Sequence, residues 1–175
     1  MSDATDRFKN IVAGFDARVQ ATPADAWTNQ SPCAGWKARD VVAHVADNYR
    51  RFTGLEPVAA DDEIVAAWTT SRDAMHNLLD TGDLSVVVDG PFGAMPTEQL
   101  LTRVIATDTL VHTWDLARAV DGDETLDADA VTGAFSGMKP MDAMIRNPGF
   151  FNAKVEPPAG ADEQTEFLCF LGRNV

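Results

Sequence analysis

Apolar residues recur at helical spacing over four long stretches of this chain, and that period commits it to packed helices. In the first stretch, residues 5–20, Phe8, Ile11, Val12, Phe15 and Val19 fall at i, i+3, i+4 and i+7 spacings. A second helix is expected from Lys37 to Thr53, with Val41, His44, Val45, Asn48 and Phe52 on one face and Gly54 and Pro57 ending it. The third, over 61–80, carries Ile64, Trp68, Met75, Leu78 and Leu79, and Asp61 and Asp62 suit its amino terminus electrostatically. The fourth opens at Thr97-Glu98 and runs to about Val120, where Asp121-Gly122-Asp123 stops it.

The segments between are weaker signals. Residues 26–36 read as an irregular connection, because Ser31-Pro32 and Ala34-Gly35 are turn chemistry. Residues 83–96 read as a short extended excursion, too isolated to seed a sheet. A fifth helical segment over 127–145 carries Val131, Phe135, Met138, Met141 and Ile145, and Gly133, Gly137 and Pro140 weaken it. A loop through Pro148-Gly149 and Pro157-Pro158 leads to a short terminal helix at 162–171. Four long amphipathic helices with little strand predict an all-α helix bundle. At 175 residues the chain suits one domain, 1–175, with room for a sizeable core.

Composition narrows the function classes. Acidic residues outnumber basic ones 27 to 14, a formal charge of −13. Such a surface repels phosphate backbones and anionic membranes, and the basic residues are scattered, with Arg50-Arg51 their one adjacent pair. The expectation is therefore no nucleic acid and no membrane partner. No apolar run approaches the roughly 20 residues that span a bilayer, and the start, Met1-Ser2-Asp3-Ala4-Thr5-Asp6, lacks the apolar core of a signal peptide, so a cytoplasmic protein is expected. Cys33 and Cys169 lie too far apart in sequence for a CxxC redox pair or a zinc ribbon.

The fourth helix breaks the rule of an apolar stripe. Positions 101, 105, 108, 112 and 115 read Leu, Ile, Asp, His and Asp. Ionisable groups on a buried face are costly unless something satisfies them, and a metal ion is an economical candidate. Asp108 and His112 stand at i and i+4, so their side chains leave one helix face about 6 Å apart. His44 shares the apolar face of the second helix; if helices two and four are neighbours, it closes a triad of two nitrogens and one oxygen. Imidazole and carboxylate suit Zn²⁺, Ni²⁺, Fe²⁺ or Mn²⁺ alike. The residues also admit a plainer reading, in which His44 is a satisfied core histidine and Asp108 caps or pairs locally.

Asp115, one turn beyond His112, either accepts a ring N–H and fixes a ligand's tautomer or pairs with Arg118 at i+3. Trp36 and Trp114 are read as core aromatics, with a pocket wall the weaker reading. Cys33 is read as a small residue in a turn, since His44 lies about 16 Å further along at helical rise. His76 falls off the apolar stripe of the third helix and is read as exposed.

The segment Ser31-Pro32-Cys33-Ala34-Gly35-Trp36-Lys37-Ala38-Arg39-Asp40-Val41-Val42-Ala43-His44-Val45 resembles the second-helix signature of the DinB/YfiT-like metalloenzyme superfamily. More narrowly, it is similar to the actinobacterial branch related to the amino-terminal domain of mycothiol-dependent maleylpyruvate isomerase. Asp108 to Ala117 resembles that branch's second signature, and Leu171-Gly172-Arg173 its carboxy-terminal motif. The resemblance implies a DinB-like four-helix bundle with a long crossover between helices two and three, followed by a short carboxy-terminal helical extension. It implies His44, Asp108 and His112 as metal ligands, with Asp115 behind them. Many superfamily members carry a histidine or glutamate where this chain has the shorter Asp108, which leaves direct ligation or a water bridge open there.

The resemblance further implies a divalent metal ion, zinc first and nickel, iron or manganese as alternatives. A low-molecular-weight thiol such as mycothiol is the implied cosubstrate of a transferase or isomerase acting on a small-molecule substrate. A metal-dependent hydrolase and a non-catalytic metal- or small-molecule-binding protein are the competing readings. A homodimer is compatible with a bundle of this kind.

Overall fold

The structure, a computed structural model, describes residues 3–146, 151 and 153–175. It divides into two compact units, the first ending at Glu124 and the second beginning at Thr125.

The first unit is built on four helical rods: α1 (Asp3–Ala21), α2 (Ala38–Thr53), α3 (Ile64–Thr81) and a composite α4 over 97–119. Hydrogen bonds fix their directions. Asp16 in α1 pairs with Arg72 in α3 while Lys9 pairs with Asp80, so those two run antiparallel. Asn48 of α2 reaches Asp108 while His44, one turn earlier, lies beside His112, so α2 and α4 are also antiparallel. By contrast α2 and α3 are parallel, because Arg39 bonds the carbonyls of Ala59, Ala60 and Asp62 while Arg50 bonds Ala67 and Ser71.

A parallel pair requires the chain to travel back along α2 before α3 can start. Residues 54–63 do this as an extended crossover, and ten such residues can span about 33 Å against about 24 Å for the 16-residue helix. Asp47 accepts from Val58 N–H midway and pins the strap to the helix it passes. This is the DinB-like bundle, with the long crossover where the sequence resemblance placed it. No described helix is long and apolar enough to cross a membrane.

The core follows the predicted stripes on α1 and α3, but on α2 the buried face is Val41, Val42, Val45, Ala46 and Tyr49, and His44, Asn48 and Phe52 are only half-buried beside it. Phe8, Val12, Phe15 and Val19 from α1 meet Val41, Val45 and Tyr49 from α2 and Trp68 and Met75 from α3, all at most 1% exposed. Phe15 meets Trp68 edge-to-face at 4.8 Å and Phe8 meets Tyr49 at 5.9 Å, the arrangement that ring quadrupoles favour.

Three expectations need correction. The excursion over 83–96 does form a sheet, a two-stranded antiparallel hairpin of β1 (Val87–Gly90) and β2 (Gly93–Pro96). The third helix begins at Ile64, not 61, because Asp62 turns back to accept from Ala59 N–H. The fourth helix is not uniform: Leu100–Ile105 is π-helical, and Ala106–Ala119 resumes the α geometry. Nearly every residue of that second part is buried, so it is enclosed on most sides and not amphipathic as read.

In the second unit the predicted helix over 127–145 is interrupted at Pro140. It becomes α5 (Ala128–Met138), a single 3₁₀ turn (Lys139–Met141) and α6 (Asp142–Ile145). The loop reading at Pro148-Gly149 lies outside the described residues. Asp162 caps α7 (Glu163–Phe170) by accepting from Thr165 N–H, and Phe135 packs on Phe167 and Phe170 at 5.8 and 5.4 Å.

The Leu171-Gly172-Arg173 motif acquires a physical meaning here. Arg173 N–H bonds the Leu168 carbonyl and Gly172 N–H bonds the Cys169 carbonyl, closing α7 with Gly172 at φ 81°. A side chain at that left-handed position would be strained, which is why glycine serves there.

Candidate metal centre

The turn that leads into α2 sets one wall of the site. Ser31 N–H bonds the Trp36 carbonyl and Trp36 N–H bonds the Cys33 carbonyl, and Gly35, at φ 79°, lets the chain reverse between them. Lys37 N–H then donates to the Asp40 carboxylate, which satisfies one free amide at the start of α2. The result holds Trp36 against both histidines, its ring centroid 4.9 Å from that of His44 and 5.8 Å from that of His112.

The antiparallel α2 and α4 bring His44, Asp108 and His112 to one place, each offering a donor atom within 4.8 Å of the others. Asp108 Oδ1 lies 3.4 Å from His44 Nε2 and 3.5 Å from His112 Nε2. Those separations are long for hydrogen bonds. A cation held about 2.0–2.2 Å from each donor would space neighbouring donors roughly 3–3.5 Å apart, so the set fits a small divalent ion. The aspartate therefore reaches between both imidazoles despite its short side chain.

Burial is graded across the site. Asp115 is fully buried and the His112 side chain is 8% exposed, whereas His44 and Asp108 are 32% and 26% exposed. The expectation of three buried ionisable groups on α4 is thus corrected for Asp108, which opens toward solvent. Its partners are Asn48, whose Nδ2 donates to Asp108 Oδ2 at 2.9 Å and lies 3.1 Å from His44 Nε2, and the two imidazoles.

Electrostatics tie these groups together. Burial alone would raise the Asp108 carboxyl, but the neighbouring His112 and His44 imidazoles hold it well below the usual carboxylate range. Burial would lower His112, yet the Asp108 charge and hydrogen bonds with Asp108, Asp115 and Cys33 push its pKa well above the ordinary histidine value.

Asp115 Oδ2 lies 2.9 Å from His112 Nδ1. Arg118, the other partner considered for it, instead pairs with Glu124 at 3.0 Å and sits over the Trp114 ring. Cys33 also belongs here: its Sγ lies 3.3 Å from Asp115 Oδ2. Reading Cys33 by helical rise from His44 missed this, because the turn before α2 faces the carboxy-terminal half of an antiparallel α4. His76 is half-buried, not exposed, and its Nε2 is enclosed without a hydrogen-bond partner.

Comparison with known proteins places this architecture. Residues 8–75 match the family model of the mycothiol maleylpyruvate isomerase N-terminal domain. The family resemblance read from the sequence therefore stands, and the match spans α1, α2 and most of α3, including His44. Two uncharacterized proteins of Mycobacterium tuberculosis, from strains CDC 1551 / Oshkosh and ATCC 25618 / H37Rv, are each 27% identical to the chain over 169 residues. Those alignments cover 92% of this chain and 92% of each relative. No solved structure matches.

Proposed function

We propose that this protein is a divalent-metal enzyme of the transferase or isomerase type that uses a low-molecular-weight thiol, such as mycothiol, on a small-molecule substrate. The observation that carries the metal part is one carboxylate oxygen, Asp108 Oδ1, standing 3.4 and 3.5 Å from two imidazole nitrogens on facing helices. The mycothiol-related family supports the thiol part. The resemblance puts zinc first; the donor types themselves suit nickel, iron or manganese as well.

His44, Asp108 and His112 would hold the cation; bound there, it would lower the pKa of a thiol and so supply a nucleophile at neutral pH. The protein's own groups prepare the site. With a cation bound, a hydrogen bond from His112 Nδ1–H to Asp115 would leave the Nε2 lone pair for the ion, since Asp115 Oδ2 stands 2.9 Å from Nδ1. Asn48 occupies Oδ2 of Asp108 and leaves Oδ1 toward the imidazoles. Trp36 covers one flank, and the exposed edges of His44 and Asp108 leave room for a small ligand to approach.

Metal analysis of untagged protein tests the site, with His44→Ala and His112→Ala as controls. The expected result is near-stoichiometric metal in the wild type and its loss in both variants; full occupancy in both variants overturns the ligand assignment. Thiol-dependent stabilisation and turnover by the loaded protein test the reaction class. Absence of both, with metal bound, overturns the thiol reading alone.

A further inference from the structure

A second donor set adjoins the first. Cys33 Sγ, a ring nitrogen of His112 and an Asp115 carboxylate oxygen also lie within 4.8 Å of one another. Asp115 Oδ2 is the hub, 3.3 Å from the sulfur and 2.9 Å from His112 Nδ1. The first set uses the Nε2 edge of His112 and the second uses the Nδ1 edge.

We propose that Cys33, His112 and Asp115 form a thiolate-bearing site for a thiophilic divalent cation such as Cd²⁺ or Zn²⁺, occupied in alternation with the His44–Asp108–His112 site. Two physical differences separate the two. The second set contains sulfur, which favours soft cations, while the first offers only nitrogen and oxygen. A thiolate and a carboxylate balance the charge of a divalent ion, whereas the single carboxylate of the first set leaves a net positive charge. That balance matters where Asp115 is fully buried and the His112 side chain only 8% exposed, because an uncompensated buried charge is costly.

Alternation follows from the shared imidazole. A neutral imidazole has one lone pair, so His112 can serve one set at a time. A cation at Cys33 takes the Nδ1 lone pair and leaves His112 a single ring proton, on Nε2; the thiol proton and any second ring proton leave to solvent. Asp115 then ligates and no longer orients His112 toward Asp108. A thiophilic cation would thereby disable the first site. The alternation, though not the second site itself, rests on the first site being a metal centre.

The test is titration of metal-free full-length protein with Co²⁺ and Cd²⁺, following the ultraviolet thiolate-to-metal charge-transfer band. The expected band is present in the wild type, persists in His44→Ala and Cys169→Ser, and is lost in Cys33→Ser. Metal bound with no such band overturns the proposal while leaving the first site intact, as does a band that persists in Cys33→Ser. Should Cys33→Ser fail to fold, alkylation of the wild type decides the matter. Cd²⁺ is expected to slow modification of Cys33 at least tenfold, and an unchanged rate overturns the proposal.

Discussion

Asp115 and His112 sit three residues apart on one helix, with a fully buried carboxylate oxygen 2.9 Å from the ring Nδ1. This pairing fixes which nitrogen of His112 faces its neighbours across the bundle. On the proposed reading, Asp115→Asn keeps the shape but lets an amide N–H confront Nδ1, and so favours the wrong tautomer. Loss of such an orienting partner typically costs about 10–100-fold in metal affinity. Competition with a chromophoric chelator in a Cys33→Ser background isolates the His44–Asp108–His112 site. Unchanged affinity in a folded Asp115→Asn protein would show that this carboxylate does not tune the site.

Trp36 gives the site an optical reporter. Its ring lies within 5.8 Å of both histidine rings, so a paramagnetic cation such as Co²⁺ or Ni²⁺ bound between them should quench its fluorescence. Trp27, Trp68 and Trp114 remain in Trp36→Phe as background emitters. The expected outcome is saturable quenching in the wild type that Trp36→Phe largely removes, with metal content unchanged. Equal quenching in both proteins would place the cation elsewhere.

The sequence was most informative where periodicity and partner face coincide. His44 was legible because it interrupts an apolar stripe, and its meeting with His112 follows once α2 and α4 are neighbours. The crossover was legible only through family resemblance, since nothing local in 54–63 dictates a parallel return. The hairpin was missed because four-residue strands carry too little alternation to signal pairing. Cys33 was missed because distance was reckoned along one helix. Antiparallel packing sets Asp108 beside Asn48 and His112 beside His44, which carries Asp115 toward the turn before α2. The π-helical Leu100–Ile105 has no evident sequence signal.

Below the site, Tyr49 and Thr109 link α2 to α4 through a buried contact of 3.0 Å. Thr109 spends its only hydroxyl proton on the Ile105 carbonyl at 2.9 Å, so Tyr49 must be the donor. Burial pushes the Tyr49 phenol far above its ordinary value, which keeps that proton in place. Tyr49→Phe removes a donor and strands none, and should cost about 1 kcal/mol. Thr109→Val leaves the Tyr49 hydroxyl buried without its acceptor and should cost about 1–3 kcal/mol. Urea denaturation checks the order; a larger loss in Tyr49→Phe would contradict the donor assignment.

Asp16 should set part of the acid limit of the fold. Trp68 Nε1–H donates to its carboxylate at 2.8 Å and Arg72 pairs with it at 2.8 Å. Partial burial works against the charged form, but the Trp68 and Gln20 hydrogen bonds and the Arg72 charge outweigh it and hold the carboxyl below its ordinary value of 3.8. The unfolded chain therefore takes up the Asp16 proton at a higher pH than the folded one. The stabilisation is fully present above the unfolded value and is lost as pH falls through the lower, folded value. Replacing the carboxylate in Asp16→Asn should lower stability near neutral pH and flatten its decline below about pH 4. Denaturation midpoints measured from pH 7 down to pH 3 decide this. A variant whose stability falls in parallel with the wild type across that range would remove Asp16 from the acid transition.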